Sequence, residues 1–299
     1  MIKEKNKISK IVIPAAGLGM RMLPATKMIP KEMLPLAGKP IIHHIVEEAV
    51  ESGFSEIIFV IHESKHSIEK YFKKSTKLES TLEKKAYLSL LKEIKNISKF
   101  SNKIVSVIQK KPKGLGHAIL CAKSLIADEP FAVMLPDMIF DADYKKFNLA
   151  TMKKNFEKSG EPSLILGKAK KSEIHNYGIV KLKNKNSKNV FFPLEDIIEK
   201  PKSKLAPSSY FVAGRYIFKN EILNFLAKEK ADSSGEIQLT GAISNYLKSS
   251  KIINGYLLDG NVYDCGNTTG YLMANLAFSI KDTNSKKQIL NFIKKNIVQ

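Results

Sequence analysis

Apolar residues appear first as short, dense blocks. Lys10–Pro14 and Glu56–Ile61 are nearly unbroken apolar runs of strand length, and Ile104–Gln109 and Phe131–Leu135 repeat the type. Continuous runs, as opposed to alternation, mark strands buried on both faces. Between them the period changes. Pro40–Ser52 carries Ile41, Ile45, Val46, Ala49 and Val50 at helical spacing and stops at Gly53. Further helices are predicted over Ser64–Phe72, across a Lys/Leu-rich insertion at 81–97, and over His117–Ile126. Strands alternating with helices predict an α/β fold, a mostly parallel sheet with helices on both faces. The second half has another character. Strands over 163–169, 178–183, 190–199 and 210–218 have little helix between them, so an added antiparallel or mixed portion is expected. Helices fit at 220–228, 236–248 and 268–281, and the Lys- and Asn-rich stretch from 282 has only a weak helical pattern. With no internal repeat and no linker, the expected organisation is a single domain over 1–299, with a core at about 10–281 and a tail at 282–299.

Composition narrows the class. At 299 residues and 43% hydrophobic, the chain can bury a substantial core, and its ordinary Gly and Pro content excludes collagen-like and wholly disordered readings. No apolar run reaches bilayer-spanning length, and Ile11–Ala16, interrupted by Pro14, is too short for a signal peptide. Two cysteines, Cys121 and Cys265, make no disulfide framework, which suits a reducing cytoplasm. The formal net charge of +20 raises the question of nucleic acid or a membrane surface. Of 49 basic residues, however, only Arg21 and Arg215 are arginines, and the lysines are scattered. Lysine is a solvated point charge, whereas arginine supplies the planar fork that reads phosphates and base edges. The surplus therefore reads as a lysine-biased surface that attracts anions, without a specific nucleic-acid or membrane partner.

Candidate chemistry begins where the first strand ends, in Pro14-Ala15-Ala16-Gly17-Leu18-Gly19-Met20-Arg21. In parallel α/β sheets, ligands sit beyond the carboxyl ends of the strands, and small residues let backbone N–H groups approach phosphates. The dinucleotide pattern G-x-G-x-x-G is broken by Met22, and the Walker A spacing is absent. A phosphate loop of another type fits, and so does a plain structural turn. The next stretch, Leu23–Pro35, holds three prolines, Lys27, Lys31 and Glu32, and is too broken for a regular element. Long ordered loops in compact domains are usually functional. Arg21 and Lys31 lie in one loop and could flank a polyphosphate.

These segments belong to a longer series. It continues through Lys31-Glu32-Met33-Leu34-Pro35, Gln109, Gly114-Leu115-Gly116-His117-Ala118, Leu135-Pro136-Asp137 and Tyr177-Gly178. It ends with Glu199-Lys200-Pro201, Gly214-Arg215-Tyr216, Glu236–Thr240 and Asp264-Cys265-Gly266. In number and order the series resembles the bacterial UTP–glucose-1-phosphate uridylyltransferases of the sugar-nucleotide pyrophosphorylase superfamily, from about residue 10 to about 281. The resemblance implies a Rossmann-like core of nucleotide-diphospho-sugar transferase type with an added sugar-binding portion. It also implies Mg²⁺ as cofactor, UTP and glucose 1-phosphate as substrates, and a homo-oligomer, dimer or tetramer, with the last helices as a plausible contact.

Roles follow residue by residue from that resemblance. Ala15, Ala16 and Gly17 would meet the nucleotide, with Glu32, Gln109 and Gly114 at the uracil. A Gln amide suits uracil, which presents two carbonyl acceptors and one N–H donor. Arg21 and Lys31 match the triphosphate-binding pair, and Asp137 joins them as a catalytic group. Asp137 and Asp264 match the Mg²⁺ ligands, although Asp264 also stands where a helix cap could lie. Gly178, Glu199 and Lys200 match the sugar-phosphate site. Arg215, inside an apolar strand, reads as a structural ion-pair partner, and Cys265 lacks a paired histidine that would make it a nucleophile. The six histidines show no metal spacing; His43-His44 falls on a predicted helix. Three positions depart from the family pattern: Met20 for Thr, Ser209 for Asn, and Gly241 for an Asp after Leu-Thr. Rivals are a catalytically weak regulatory homologue, the same chemistry with dTTP or another sugar 1-phosphate, and a basic nucleic-acid binder resting on charge alone.

Overall fold

A computed structural model describes residues 6–142, 148–183 and 191–296. Its thirteen described strands are β1 Lys10–Pro14, β2 Pro35–Leu36, β3 Lys39–Pro40, β4 Glu56–Ile61, β5 Ile104–Ile108, β6 Phe131–Met134, β7 Met138–Ala142, β8 Ser163–Lys168, β9 Gly178–Leu182, β10 Phe191–Glu199, β11 Tyr210–Phe218, β12 Asn254–Leu257 and β13 Gly260–Asp264. The helices are α1 Ile41–Glu51, α2 Ser67–Phe72, α3 Thr76–Lys84, α4 Leu88–Ser98, α5 Gly114–Cys121, α6 Lys123–Ile126, α7 Leu149–Ser159, α8 Ile222–Lys228, α9 Leu239–Lys248, α10 Thr268–Ser279 and α11 Thr283–Asn296.

Nine strands form one sheet in the order β5-β4-β1-β6-β11-β8-β12-β10-β9. The first four are mutually parallel. From β11 onward the sheet is mixed: β11 runs antiparallel to both β6 and β8, and β10 runs antiparallel to both β12 and β9. The expected α/β fold, parallel in one part and mixed in the other, is therefore present. In β1, Ile11, Val12 and Ile13 are all fully buried, as a strand covered on both faces requires. One face packs on α1, α2, α7 and α10, the other on α5, α6, α8 and α9. α1 keeps Ile41, Ile42, Ile45, Val46 and Ala49 on its buried side.

The departures from the sequence pattern are local. The 81–97 insertion is two helices, α3 and α4, because the chain turns at Ala86, which has a positive φ of 56°. Four elements, β7, α7, β12 and β13, fall where the pattern gives no clear period. Val190, the first residue of an expected strand, lies outside the described residues. The helix expected from 236 begins at Leu239, and the weakly patterned tail carries α11. Among the described residues, no helix is long and apolar enough to cross a membrane.

Candidate active site

Parallel strand ends carry the first wall. After β1, Ala15 N–H donates to Val60 O at 2.7 Å and so extends the sheet by one residue. Ala15 stays behind the wall, while Ala16 and Gly17 face an open cavity of about 420 Å³. A Cβ added at Gly17 would meet no protein atom, so the missing side chain leaves room for something other than the protein. The broken stretch that follows forms three 3₁₀ turns, at Met20–Met22, Ala25–Lys27 and Lys31–Met33. They are tied by Thr26 Oγ1 donating to Gly19 O at 2.8 Å. The first turn delivers Arg21 and the third delivers Lys31 and Glu32, all three to the same cavity.

Gln109 follows β5, and Gly114 opens α5 instead of closing a plain turn. Gly114 has a φ of +87°, and a Cβ there would lie 2.8 Å from Glu236 Cβ and 2.9 Å from Ile237 O. Gln109 Nε2 donates to Gly114 O at 3.3 Å and to His117 Nδ1 at 2.8 Å. Burial, followed by nearby Lys113, lowers the His117 pKa, which favours the neutral ring that can accept this bond. With its nitrogen committed, Gln109 turns Oε1 into the group left to accept. Glu32 is fully buried and receives both its bonds from Lys65 Nζ, at 3.1 and 2.9 Å. Lys65, missed in the sequence, has its pKa lowered because burial outweighs the pull of Glu32. No local pattern marks it among so many lysines.

A second cavity of about 240 Å³ lies on the mixed side of the sheet. Gly178 opens β9 and Glu199 ends β10, and the antiparallel register pairs them directly. Lys200 follows with a φ of +43°, a conformation that a residue with a Cβ adopts at a cost and that gathers at functional sites. Its Nζ lies 3.5 Å from Glu199 Oε1. Tyr177, stacked on Phe211 at 4.4 Å, and Thr240 complete this wall. Thr240 Oγ1 is buried without a hydrogen-bond partner. Neither Tyr177 nor Thr240 stood out beyond its motif. The two cavities share Arg21, Leu115, Leu135, Asp137 and Glu236. Glu236 lines both; the sequence placed it within a motif but gave it no role.

Asp137 and Asp264 come together at that shared boundary. The two-stranded ribbon of β7 and β13 pairs Met138 with Asp264, and Cys265 N–H donates to Asp137 O at 2.7 Å. A Cβ at Gly266 would lie 2.6 Å from Arg21 Nη2, 2.8 Å from Asp264 Oδ1 and 2.9 Å from Asp137 Oδ2, so all three groups converge over one glycine. Lys31 Nζ lies 2.5 Å from Asp137 Oδ2, and Arg21 Nη1 lies 3.3 Å from Asp264 Oδ2. Burial opposes both charges of the Lys31–Asp137 pair, but each partner prevails. Asp137 and Glu32 raise Lys31 above the ordinary lysine range, and Lys31 holds Asp137 below the usual carboxylate range. Asp264 does not cap α10. That place belongs to Asn267, whose side chain accepts from Gly270 N–H at 2.9 Å.

The donor set fits a hard cation shared with a substrate. Two facing carboxylates supply oxygen only, and among the described residues no group of three His, Cys, Asp or Glu could cage a metal unaided. Mg²⁺ is typically held by one or two carboxylates and completes its shell with phosphate oxygens and water. Cys265 is no nucleophile: burial, then Asp137 and Asp264, push its thiol up to about 12. Arg215 is a buried ion-pair partner, bonded twice to Glu48. His43 and His44 lie on α1, away from these walls.

Comparison with known proteins agrees with this geometry. The nucleotidyl transferase family model matches residues 10–279. The UTP–glucose-1-phosphate uridylyltransferase of Escherichia coli K12 is 42% identical over 280 residues, 92% of each chain. That of Bacillus subtilis 168 is 39% identical over 288 residues, covering 96% of this chain and 97% of its own. The solved UTP-bound UGPase from Acinetobacter baumannii superposes with a TM-score of 0.88 at 37% identity, covering 97% of this chain and 99% of that one. A UDP-glucose pyrophosphorylase complexed with UDP-glucose gives 0.80 at 37% identity, covering 92% and 100%. The chain is an enzyme of the nucleotidyl transferase family and belongs among its UTP–glucose-1-phosphate uridylyltransferases.

Proposed function

We propose that the protein transfers a uridylyl group from UTP to glucose 1-phosphate, giving UDP-glucose and pyrophosphate. The observation that carries this reading is the boundary between the cavities, where Arg21, Asp137 and Glu236 belong to both walls. A nucleotide α-phosphate and a sugar phosphate seated on either side would meet there. Uracil would lie against Gln109, Gly114 and the Glu32 turn, with its imide N–H donating to Gln109 Oε1. Ala16 and Gly17 would present backbone to the nucleotide. On the other side, Glu199 would accept from sugar hydroxyls, Thr240 Oγ1 would find the partner it lacks, and Lys200 would meet the sugar phosphate near Gly178.

A phosphate oxygen of glucose 1-phosphate then attacks the α-phosphorus in line. The bond from that phosphorus to the oxygen bridging to the β-phosphate breaks, and pyrophosphate leaves with the electron pair. The attacking oxygen is already anionic, so no general base is needed. Arg21 and Lys31 neutralise charge that builds on the triphosphate, an effect strengthened where water is excluded. Asp137 and Asp264 would hold Mg²⁺, which when bound draws charge from phosphate oxygens. A regulatory, non-catalytic reading draws on Met20 and Gly241. Met20 is exposed at the cavity edge and leaves Arg21 in place, while the space beside Gly241 is filled by the Glu229 carboxylate. We further read residues 1–299 as one domain located in the cytoplasm. The exposed Leu272, Met273, Leu276 and Phe292 of α10 and α11 would be the contact with a second copy.

The test is a panel of UTP, dTTP, CTP and GTP crossed with several sugar 1-phosphates, with and without Mg²⁺, read as pyrophosphate release. The expected result is the highest kcat/KM with UTP and glucose 1-phosphate, dependent on Mg²⁺. No release above background with any pair overturns the proposal.

A further inference from the structure

The turn that carries Asp137 is held by two residues outside both cavities. Arg215, on β11, has a fully buried side chain. Its Nε and Nη2 donate to Glu48 Oε1 and Oε2 on α1, at 2.9 and 2.7 Å. The remaining donors go to backbone: Nη1 to Leu135 O at 3.2 Å and Nη2 to Met138 O at 3.0 Å. Those two carbonyls bracket Pro136-Asp137. Leu135 N–H donates in turn to Gly214 O at 2.8 Å, and the guanidinium lies 4.2 Å from the centroid of the Phe140 ring. One planar fork thus joins a helix, a central strand and both ends of the turn.

Stability alone does not call for this arrangement. Apolar side chains of similar volume often replace a buried ion pair at no loss, because desolvating two charges is costly. What apolar groups cannot do is fix the two carbonyls, or the direction in which the intervening residue points. Lysine could not do so either, since its point charge lacks the fork. We infer that Arg215 and Glu48 are positioning residues for Asp137, setting its carboxylate against Asp264 and Arg21. The pair is neutral as a unit, so it acts through geometry. This inference rests on the role proposed above for Asp137.

The test compares Arg215→Lys and Glu48→Gln with Phe72→Leu, a truncation in the same core whose ring packs on Phe59, Tyr71 and Phe100. Misplacing a reacting group by about 1 Å can cost on the order of 10²-fold in rate. The expectation for both fork variants is a kcat lowered by about tenfold or more with KM for UTP within about twofold, the split that marks loss of a transition-state interaction. Calorimetry of Mg²⁺ binding to the UTP-bound protein should show severalfold weaker affinity. Phe72→Leu should change neither quantity by more than about twofold at a similar loss of Tm. If Arg215→Lys does not fold, Glu48→Gln decides, because it keeps the guanidinium and its two carbonyl bonds. Wild-type kcat and cation affinity in a folded fork variant overturn the inference, and so do equal losses in Phe72→Leu. A wild-type enzyme that releases no pyrophosphate fails the function proposed above instead, and the calorimetric comparison then judges the positioning claim.

Discussion

The two parts of the central sheet build their cavities by different means. In the part built from β1, β4, β5 and β6 every pair is parallel, so the strands end on one edge and the site is made by the loops that follow them. In the reading proposed above, Ala16 and Gly17 would offer backbone there, beside the side chains of Arg21, Lys31 and Gln109. In the mixed part, antiparallel neighbours end on opposite edges. The site there is drawn from a strand start, Gly178, and a strand end, Glu199, held side by side by register. In the proposed reading, Glu199, Lys200 and Thr240 would select the sugar phosphate there by their side chains. The parallel edge thus presents its signal as short stretches, each following a strand or its loop, such as Pro14–Arg21 and Gln109–Gly114, whereas on the mixed side single residues from Tyr177 to Thr240 are brought together by register.

The largest effects should come from the groups common to both parts. Asp137→Asn and Arg21→Ala should each lower kcat by about 10²-fold or more, since the proposed transfer would build charge beside both. Steady-state pyrophosphate release measures this. A loss seen only in KM for one substrate would assign the residue to one side and remove the seam.

Next come variants meant to separate the sides. In the proposed pose Gln109→Leu would leave the uracil imide without its acceptor, so it should raise KM for UTP by about tenfold, given that leaving a buried polar group unpaired costs about 1–3 kcal/mol. KM for glucose 1-phosphate should hold. Glu199→Gln should do the reverse. Crossed initial-rate measurements decide, and equal changes in both KM values for either variant would break the division.

The same contrast explains what the sequence revealed. The parallel core was legible because its strands are continuous apolar runs, and the loop from Pro14 to Arg21 because a strand end, small residues and a rare arginine fall together. The family resemblance pairs Asp137 and Asp264 at one Mg²⁺, but no local pattern brings them together. Their meeting depends on β7 and β13, five-residue strands whose sequences, MIFDA and GNVYD, carry little period. Long-range register of that kind is set by tertiary packing. Lys65 was hidden for a different reason: only burial against Glu32 distinguishes it. Arg215 was read as an ion-pair partner, yet neither Glu48 nor the two carbonyls it reaches could be read from a local pattern.

A smaller effect tests the mixed side alone. Where the family carries Asp, this chain has Gly241, and a Cβ there would lie 2.4 Å from Glu229 Oε1. Glu229 Oε2 also accepts from Asn245 Nδ2 at 3.1 Å, so that carboxylate is anchored on α9. Gly241→Asp should therefore destabilise only modestly, by up to about 1 kcal/mol, because the half-buried Glu229 carboxylate must give up its Asn245 bond to move aside and meets a like charge. Glu229→Ala in the same chain should recover most of the loss. The readout is Tm, with KM for glucose 1-phosphate moving before KM for UTP because Thr240 is the adjacent residue. An unchanged Tm in the single variant would mean that Glu229 swings away freely.

The smallest effect reports whether the ribbon of β7 and β13 stays closed at the boundary between the two cavities. Cys265 lies on the seam, fully buried, with its N–H on Asp137 O and its thiol pushed up to about 12 by burial and by the two aspartates. Only the thiolate alkylates readily, so at pH 8 both burial and protonation protect it. Cys121 is only partly buried, and its thiol is raised by desolvation alone. Iodoacetamide at pH 8 should therefore label Cys121 slowly and Cys265 only after unfolding, as peptide mass spectrometry would show. Raising the pH toward 9 should speed labelling at Cys121 and leave Cys265 protected, because its pKa lies further above. Labelling of Cys265 in the folded chain at a rate comparable to Cys121 would mean that β7 and β13 separate often, and a carboxylate pair that parts so readily could not hold the geometry on which transfer depends.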